Sequence, residues 1–359
     1  MQSRVINLLR FPMAILVVFC HCKLLWGVPY NGVIENSSGH IAQALQIFFS
    51  EVIPHVAIPL FLFFSGYLFF NKGFSREIYF SKLKSRTHTL LLPYIIWCSI
   101  GYLIALYNKE CSLSLLSYIQ GFWDTSLWGG AGESMIAFNN MPADMPLWFL
   151  RDLIVIIILS PLIYFLIKHL RSAIIILLGI WWFSHIEPKP FGFGADTVFF
   201  FSLGAWFAIN KIDFIESTKK FMPKVYIITV ILMISDFIIV NDLFSETGRM
   251  GYNWYIFNAF IFTGALSLIH IASLIIQKTD ITISQFWAPA SFFLYAAHAL
   301  YMIPLRIFLF DIFHPQSELG WIVFYFADIF AVITAAIIIF ALLRKFTPRV
   351  CSLLTGGRI

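Results

Sequence analysis

What most constrains this chain is a succession of apolar runs, each about as long as a bilayer is thick, with short polar segments between them. Crossing a hydrocarbon core of ~30 Å takes roughly 20 predominantly apolar residues in a helix. Ten stretches approach or meet that length, at 5–26, 48–70, 89–107, 146–167, 173–186, 196–210, 225–243, 253–276, 291–311 and 321–343. The fifth and sixth are short for a clean crossing. Of the 359 residues, 60% are hydrophobic and 12% charged, whereas covering a water-facing surface takes about 25% charged residues. The expectation is an all-α, polytopic membrane helical bundle of about ten transmembrane helices, with the membrane domain over 1–346 and a short tail at 347–359. The apolar stretch from Phe11 to Trp26 follows Arg10 and has no small-residue cleavage site after it. It therefore reads as a retained first span and not as a removed leader.

Lysine and arginine placement sets the expected orientation. With the N-terminus inside, seventeen basic residues fall in inner segments and four, Lys23, Lys109, Lys189 and Arg249, in outer ones. Three more, Arg10, Arg151 and Arg306, sit within spans. Both termini are therefore expected in the cytoplasm. The net charge of +5 is spread over short loop clusters, with no basic domain to follow a nucleic-acid backbone, so nucleic-acid binding is excluded. Of the five cysteines, Cys20, Cys22 and Cys98 lie in apolar runs, and Cys111 and Cys351 in segments on opposite sides. That pattern gives neither a disulfide framework nor a zinc spacing, and no metal site is expected. The longest outer segment, 108–145, holds Trp123, Trp128, Gly129, Gly130, Gly132, Asn139 and Asn140. Such residues suit sugar binding at an outer mouth and equally an interfacial aromatic belt.

Ionisable groups inside spans are costly, so each is a candidate for function. Arg10 and His21 are eleven residues apart in the first span. At 100° per residue they fall on one helix face, roughly 16 Å apart along the axis. A cation near the inner end and an imidazole in the outer half could hold a long molecule with its charged end below and its reactive end above. Histidine suits general-base work because its ordinary pKa lies near neutrality; taken alone, a structural role fits it as well. Lys84, Arg86 and His88 approach the third span from inside. They read either as a topology signal or as a phosphate site. Arg151 and Asp152 follow Trp148 at the outer end of the fourth span, and as chain neighbours on a helix they diverge by about 100°, which predicts separate partners. Ser291, Tyr295 and His298 share one face of the ninth span, with Arg306 two turns on and His298 expected nearer the membrane centre than His21. That stripe faces the bundle interior, as a packing seam or as the wall of a polar cavity. Glu51, Asp236, His270 and Asp328, in or beside spans, are left without an assigned partner.

Four of these stretches, in this order, resemble the acyltransferase-3 family of membrane O-acyltransferases, which decorate bacterial envelope and exported sugars. Arg10 to His21 is similar to the family's arginine, ten residues, histidine signature. Pro59-Leu60-Phe61-Leu62-Phe63-Phe64-Ser65-Gly66-Tyr67 resembles its second span, Leu147-Trp148-Phe149-Leu150 the start of its fourth, and Ser291 to His298 its serine–tyrosine–histidine segment. The resemblance covers nearly the whole chain. It implies an acyl-CoA donor, usually acetyl-CoA, used as co-substrate with no bound cofactor. It further implies a lipid-linked or exported saccharide acceptor and a multi-pass location in the inner membrane. Many members carry two arginines three apart at the inner end of the third span, proposed to meet the CoA phosphates; here the segment reads Lys84-Ser85-Arg86-Thr87-His88.

The residues and the resemblance together give one expectation. Arg10, with Lys84, Arg86 and His88, binds acyl-CoA, and His21 is catalytic, either as general base or by carrying the acyl group transiently. Trp148, Arg151, Asp152, Ser291, Tyr295, His298 and Arg306 form an acceptor or supporting site. The main rival is a transporter or flippase that moves a lipid-linked saccharide unaltered, against which stands the lack of visible inverted halves; a second is a non-enzymatic partner in an envelope-polysaccharide assembly.

Overall fold

The computed structural model describes residues 1–22, 40–128, 140–184, 194–243, 253–279 and 285–358. Lys23, Gly129, Gly130, Gly132, Asn139, Lys189 and Arg249, all named above, lie outside the described residues. Every regular element among those described is helical, in keeping with the all-α expectation.

The first span is α1 (Gln2–His21). The second is one continuous helical run: α2 (His40–Gln46), a π-helical stretch (Ile47–Val52), a 3₁₀ turn (Ile53–Val56) and α3 (Ala57–Phe70). The changes of winding gather around Pro54, whose missing N–H and ring disturb a regular α ladder. The third repeats the device, with α4 (Arg76–Arg86), a π-helical stretch (Thr87–Leu91) and α5 (Leu92–Tyr107) that carries Pro93 in its first turn. The Ser75 hydroxyl accepts from the Ile78 N–H and caps α4. A short α6 (Leu115–Gln120) follows.

The fourth apolar stretch is not straight. It joins α7 (Trp148–Ile158) to α8 (Ser160–Leu170) through a 62° bend, with Pro161 in the first turn after the break. α9 (Ser172–Ser184) and α10 (Ala195–Ile209) are the short pair anticipated above; their 13 and 15 residues rise only ~20 Å each. A short α11 (Glu216–Lys219) precedes α12 (Met222–Leu243), α13 (Asn253–Lys278), α14 (Trp287–Phe313) and α15 (Glu318–Phe346). The 347–359 tail is not a loose strand of chain: α16 (Pro348–Thr355) docks on α5, burying Cys351 and Thr355, and the Trp97 indole donates to the Leu354 carbonyl at 3.0 Å.

Among the described residues, seven helices are long and apolar enough to cross a membrane, and eight if the bent pair counts as one. Large apolar side chains stand exposed along them, such as Ile227, Ile231 and Phe330, as lipid-facing surfaces require.

The chain divides into two compact units, Met1–Phe61 with Asp213–Ile338, and Leu62–Ile212 with Ile339–Ile359. In the first unit α1 lies along α14. Phe11 meets Trp287 with ring centres 4.5 Å apart, and His21 meets His298, so the two helices run in the same direction. Ile47, Val52, Val56, Val240 and Phe260 close this unit's apolar core. In the second unit α3 crosses α10 at Gly66 and Gly204, and α9 stacks on α10 through Trp182 and Phe199, ring centres 5.2 Å apart.

Candidate active site

The first unit carries the polar interior. On α1, positions 10, 14, 17 and 21 fall on one stripe, and Ala14 and Val17 between the ends are buried. Arg10 and His21 are half-buried at its two ends. Among the described residues no hydrogen bond or ion pair reaches the Arg10 guanidinium. A half-buried cation without a protein counter-ion suits an anionic ligand.

At the other end of the stripe the His21 ring lies 5.3 Å from the His298 ring, tilted by 40°. The contact places an imidazole of α14 directly beside the one that ends α1. His298 is fully buried, and its Nδ1 lies 3.1 Å from the Leu294 carbonyl oxygen and 2.9 Å from that of Tyr295. One residue on from His21, the Cys22 thiol donates to the Met302 sulfur at 3.6 Å.

Further along α14, Arg306 donates from Nε to Asp328 on α15 at 2.9 Å, with both side chains fully buried. Asp328 was without an assigned partner in the sequence because an ion pair between helices leaves no local spacing. Beside it Ser50 and Tyr325 share a hydrogen bond of 2.7 Å. Tyr295 is buried in the stripe, and Ser291 donates back to the Ala288 carbonyl at 2.7 Å, a bond within its own helix. His270 pairs with the Thr218 hydroxyl at 2.9 Å.

The second unit holds the other predicted residues. Lys84 and His88 are exposed and Arg86 half-exposed where α4 gives way to the π-helical stretch. Trp148 opens α7, half-buried. The expectation of separate partners for Arg151 and Asp152 is corrected. Arg151 Nε donates to Asp152 at 2.8 Å, while its Nη1 donates to the carbonyls of Trp123 at 2.6 Å and Asn140 at 2.9 Å. The 100° rule fixes where Cβ points, but the long arginine stem lets its head curl back to a neighbour. The guanidinium thus ties down the outer segment by its backbone and also lies 5.3 Å from the Trp123 ring. Trp128 donates its indole N–H to Ser117 at 2.7 Å. Both tryptophans of the outer segment are engaged in holding its fold.

Just before α7, Asp144 is fully buried, and neither carboxylate oxygen has a hydrogen-bond partner among the described residues. Burial pushes its carboxyl well above the usual carboxylate range. A lone aspartate beside Pro146 carries no sequence signal that would have marked it.

A histidine pair with one ring fully buried and the other half-buried, three helical turns from an uncompensated arginine, can hold an anion at one end and move a proton at the other. A model of the acyltransferase-3 family, described as "Acyltransferase domain", matches residues 4–341. Over 361 residues the chain is 25% identical to the "Succinoglycan biosynthesis protein ExoH" of Rhizobium meliloti (strain 1021), a match covering 98% of this chain and 92% of that protein. No solved structure matches the chain. With a family match that spans all but the first three and last eighteen residues, this multi-pass helical protein belongs to the acyltransferase-3 family.

Proposed function

We propose that this protein is an inner-membrane O-acyltransferase with ten spans and cytoplasmic termini. It moves an acyl group, acetyl in the first instance, from acyl-CoA to a hydroxyl of a cell-envelope or exported saccharide. Family membership supports the acyl transfer. The relative is named for succinoglycan biosynthesis, which supports the saccharide acceptor. The observation that carries the reading is the stripe on α1: an uncompensated Arg10 below and His21, in contact with His298, above. Their axial spacing of roughly 16 Å suits an extended pantetheine arm, with phosphate at Arg10 and thioester at His21. Lys84, Arg86 and His88 keep their proposed role as phosphate-binding cations on the second unit.

In the transfer His21 takes the proton of the acceptor hydroxyl as its oxygen bonds to the thioester carbonyl carbon. The carbon–sulfur bond breaks, and the departing thiolate receives that proton to leave as CoA. Transient acylation of His21 reaches the same products in two steps. The test is CoA release from acetyl-CoA by membranes carrying the protein, with envelope polysaccharide as acceptor. Equal release with and without the protein would refute the proposal.

A further inference from the structure

His298 is held in one tautomer. Its Nδ1 faces two backbone carbonyl oxygens, at 3.1 and 2.9 Å, and a carbonyl only accepts, so Nδ1 carries a hydrogen. The ring is fully buried, and its Nε2 has no hydrogen-bond partner among the described residues. Were Nε2 protonated too, a cation would sit in the interior without a counter-ion. The buried carboxylate of Asp328 is already engaged by Arg306. A neutral ring avoids that cost. Nε2 is then a bare lone pair in a dry interior.

Buried polar groups generally find a hydrogen-bond partner, and here one ring nitrogen is left open beside the ring that the proposed chemistry uses. An N–H···N hydrogen bond of about 2.9 Å between two imidazoles spaces their centres by roughly 5 Å, and the observed separation is 5.3 Å. The separation of the two rings is therefore that of a hydrogen-bonded imidazole pair.

Resting on the acyl-transfer reading, we propose that His298 is a positioning residue for His21. Its Nε2 accepts the His21 ring N–H and so keeps the opposite His21 nitrogen unprotonated and turned to the acceptor hydroxyl. When His21 takes up the hydroxyl proton, the imidazolium stays bonded to Nε2 until the proton passes to the departing thiolate. His298 touches neither substrate.

The experiment compares wild type, His298→Leu, His298→Gln and His21→Ala, each in native lipid membranes supplied with acetyl-CoA and the cell's own envelope polysaccharide. The full-length proteins are also labelled with 15N in the histidine rings. The expected spectrum shows His298 protonated at Nδ1 and unprotonated at Nε2 at neutral pH. The expected kinetics show kcat in His298→Leu lowered about 100-fold with KM for acetyl-CoA unchanged. In His298→Gln, whose side-chain oxygen can accept near the Nε2 position, about a tenth of the wild-type kcat returns. Full kcat in His298→Leu beside an inactive His21→Ala overturns the positioning role alone, as does a ring protonated at Nε2 in the wild type. Absence of transfer in wild type itself overturns the acyl-transfer reading and this assignment with it.

Discussion

Gly66 on α3 and Gly204 on α10 let two helices meet backbone to backbone: a β-carbon on Gly66 would overlap the Phe201 carbonyl, and one on Gly204 the Phe63 carbonyl. Small residues at such crossings are how helices associate where lipid offers no hydrophobic drive. Neither overlap can be relieved by a side-chain rotation, because the obstructing atoms are main chain. Gly66→Ala or Gly204→Ala should cost about 3 kcal/mol or more, at or above the upper end of overpacking. Thermal unfolding of the detergent-solubilised protein reads this as a large fall in Tm. An unchanged Tm in both would contradict the close crossing.

The Arg306–Asp328 pair is completely buried. Removing one partner leaves an uncompensated charge, at a cost of about 3–5 kcal/mol. Arg306→Met should therefore be poorly stable, and Arg306→Met with Asp328→Leu should recover most of the loss because no charge remains. Comparison of the single and double variants by unfolding checks this. A double variant as unstable as the single one would show that the pair does more than neutralise itself.

Asp144 gives a pH signature. Its folded-state carboxyl titrates well above the ordinary range because it is buried without partners. Below about pH 3.9, the ordinary aspartate value, both states are protonated and the group costs nothing. As the pH rises past that value the unfolded state ionises first, and stability falls until the folded carboxyl ionises too. Asp144→Asn removes this loss. Its Tm advantage over wild type should be small near pH 4.5 and larger near pH 7.5; an advantage that does not grow with pH would contradict the assignment.

Arg10 has no protein counter-ion among the described residues, so its substitution should affect donor binding more than stability. Arg10→Ala is expected to raise KM for acetyl-CoA about tenfold, the loss of one charge-assisted contact, with Tm nearly unchanged. Arg10→Lys should recover part of the affinity, since lysine keeps the charge but not the planar fork. A lowered Tm with unaltered KM would make Arg10 structural.

The helices were legible because crossing a bilayer demands apolar length, a property any run of sequence displays by itself. So was the shared face of Arg10 and His21, which follows from the pitch of one helix. The bend at Leu159 was foreseeable only in hindsight, from Pro161 inside an otherwise unbroken apolar run. What lay beyond reach were relations between helices. The His21–His298 contact and the Arg306–Asp328 pair depend on which faces turn toward each other, and no spacing along the chain encodes that. Arg151 and Asp152 were misjudged for a different reason: helix geometry fixes the root of a side chain, whereas a long guanidinium decides for itself where its head goes.

The central claim is that His21 performs acyl transfer to a glycan. The most direct measurement is ester-linked acetate on envelope glycan from cells carrying wild type, His21→Ala or no protein, with equal amounts of the two proteins confirmed in the membrane. Acetate present with wild type and lost in the other two is the predicted result. Acetate equally abundant in all three, with glycan export falling only when the protein is absent, would contradict it and turn the polar stripe into a translocation path.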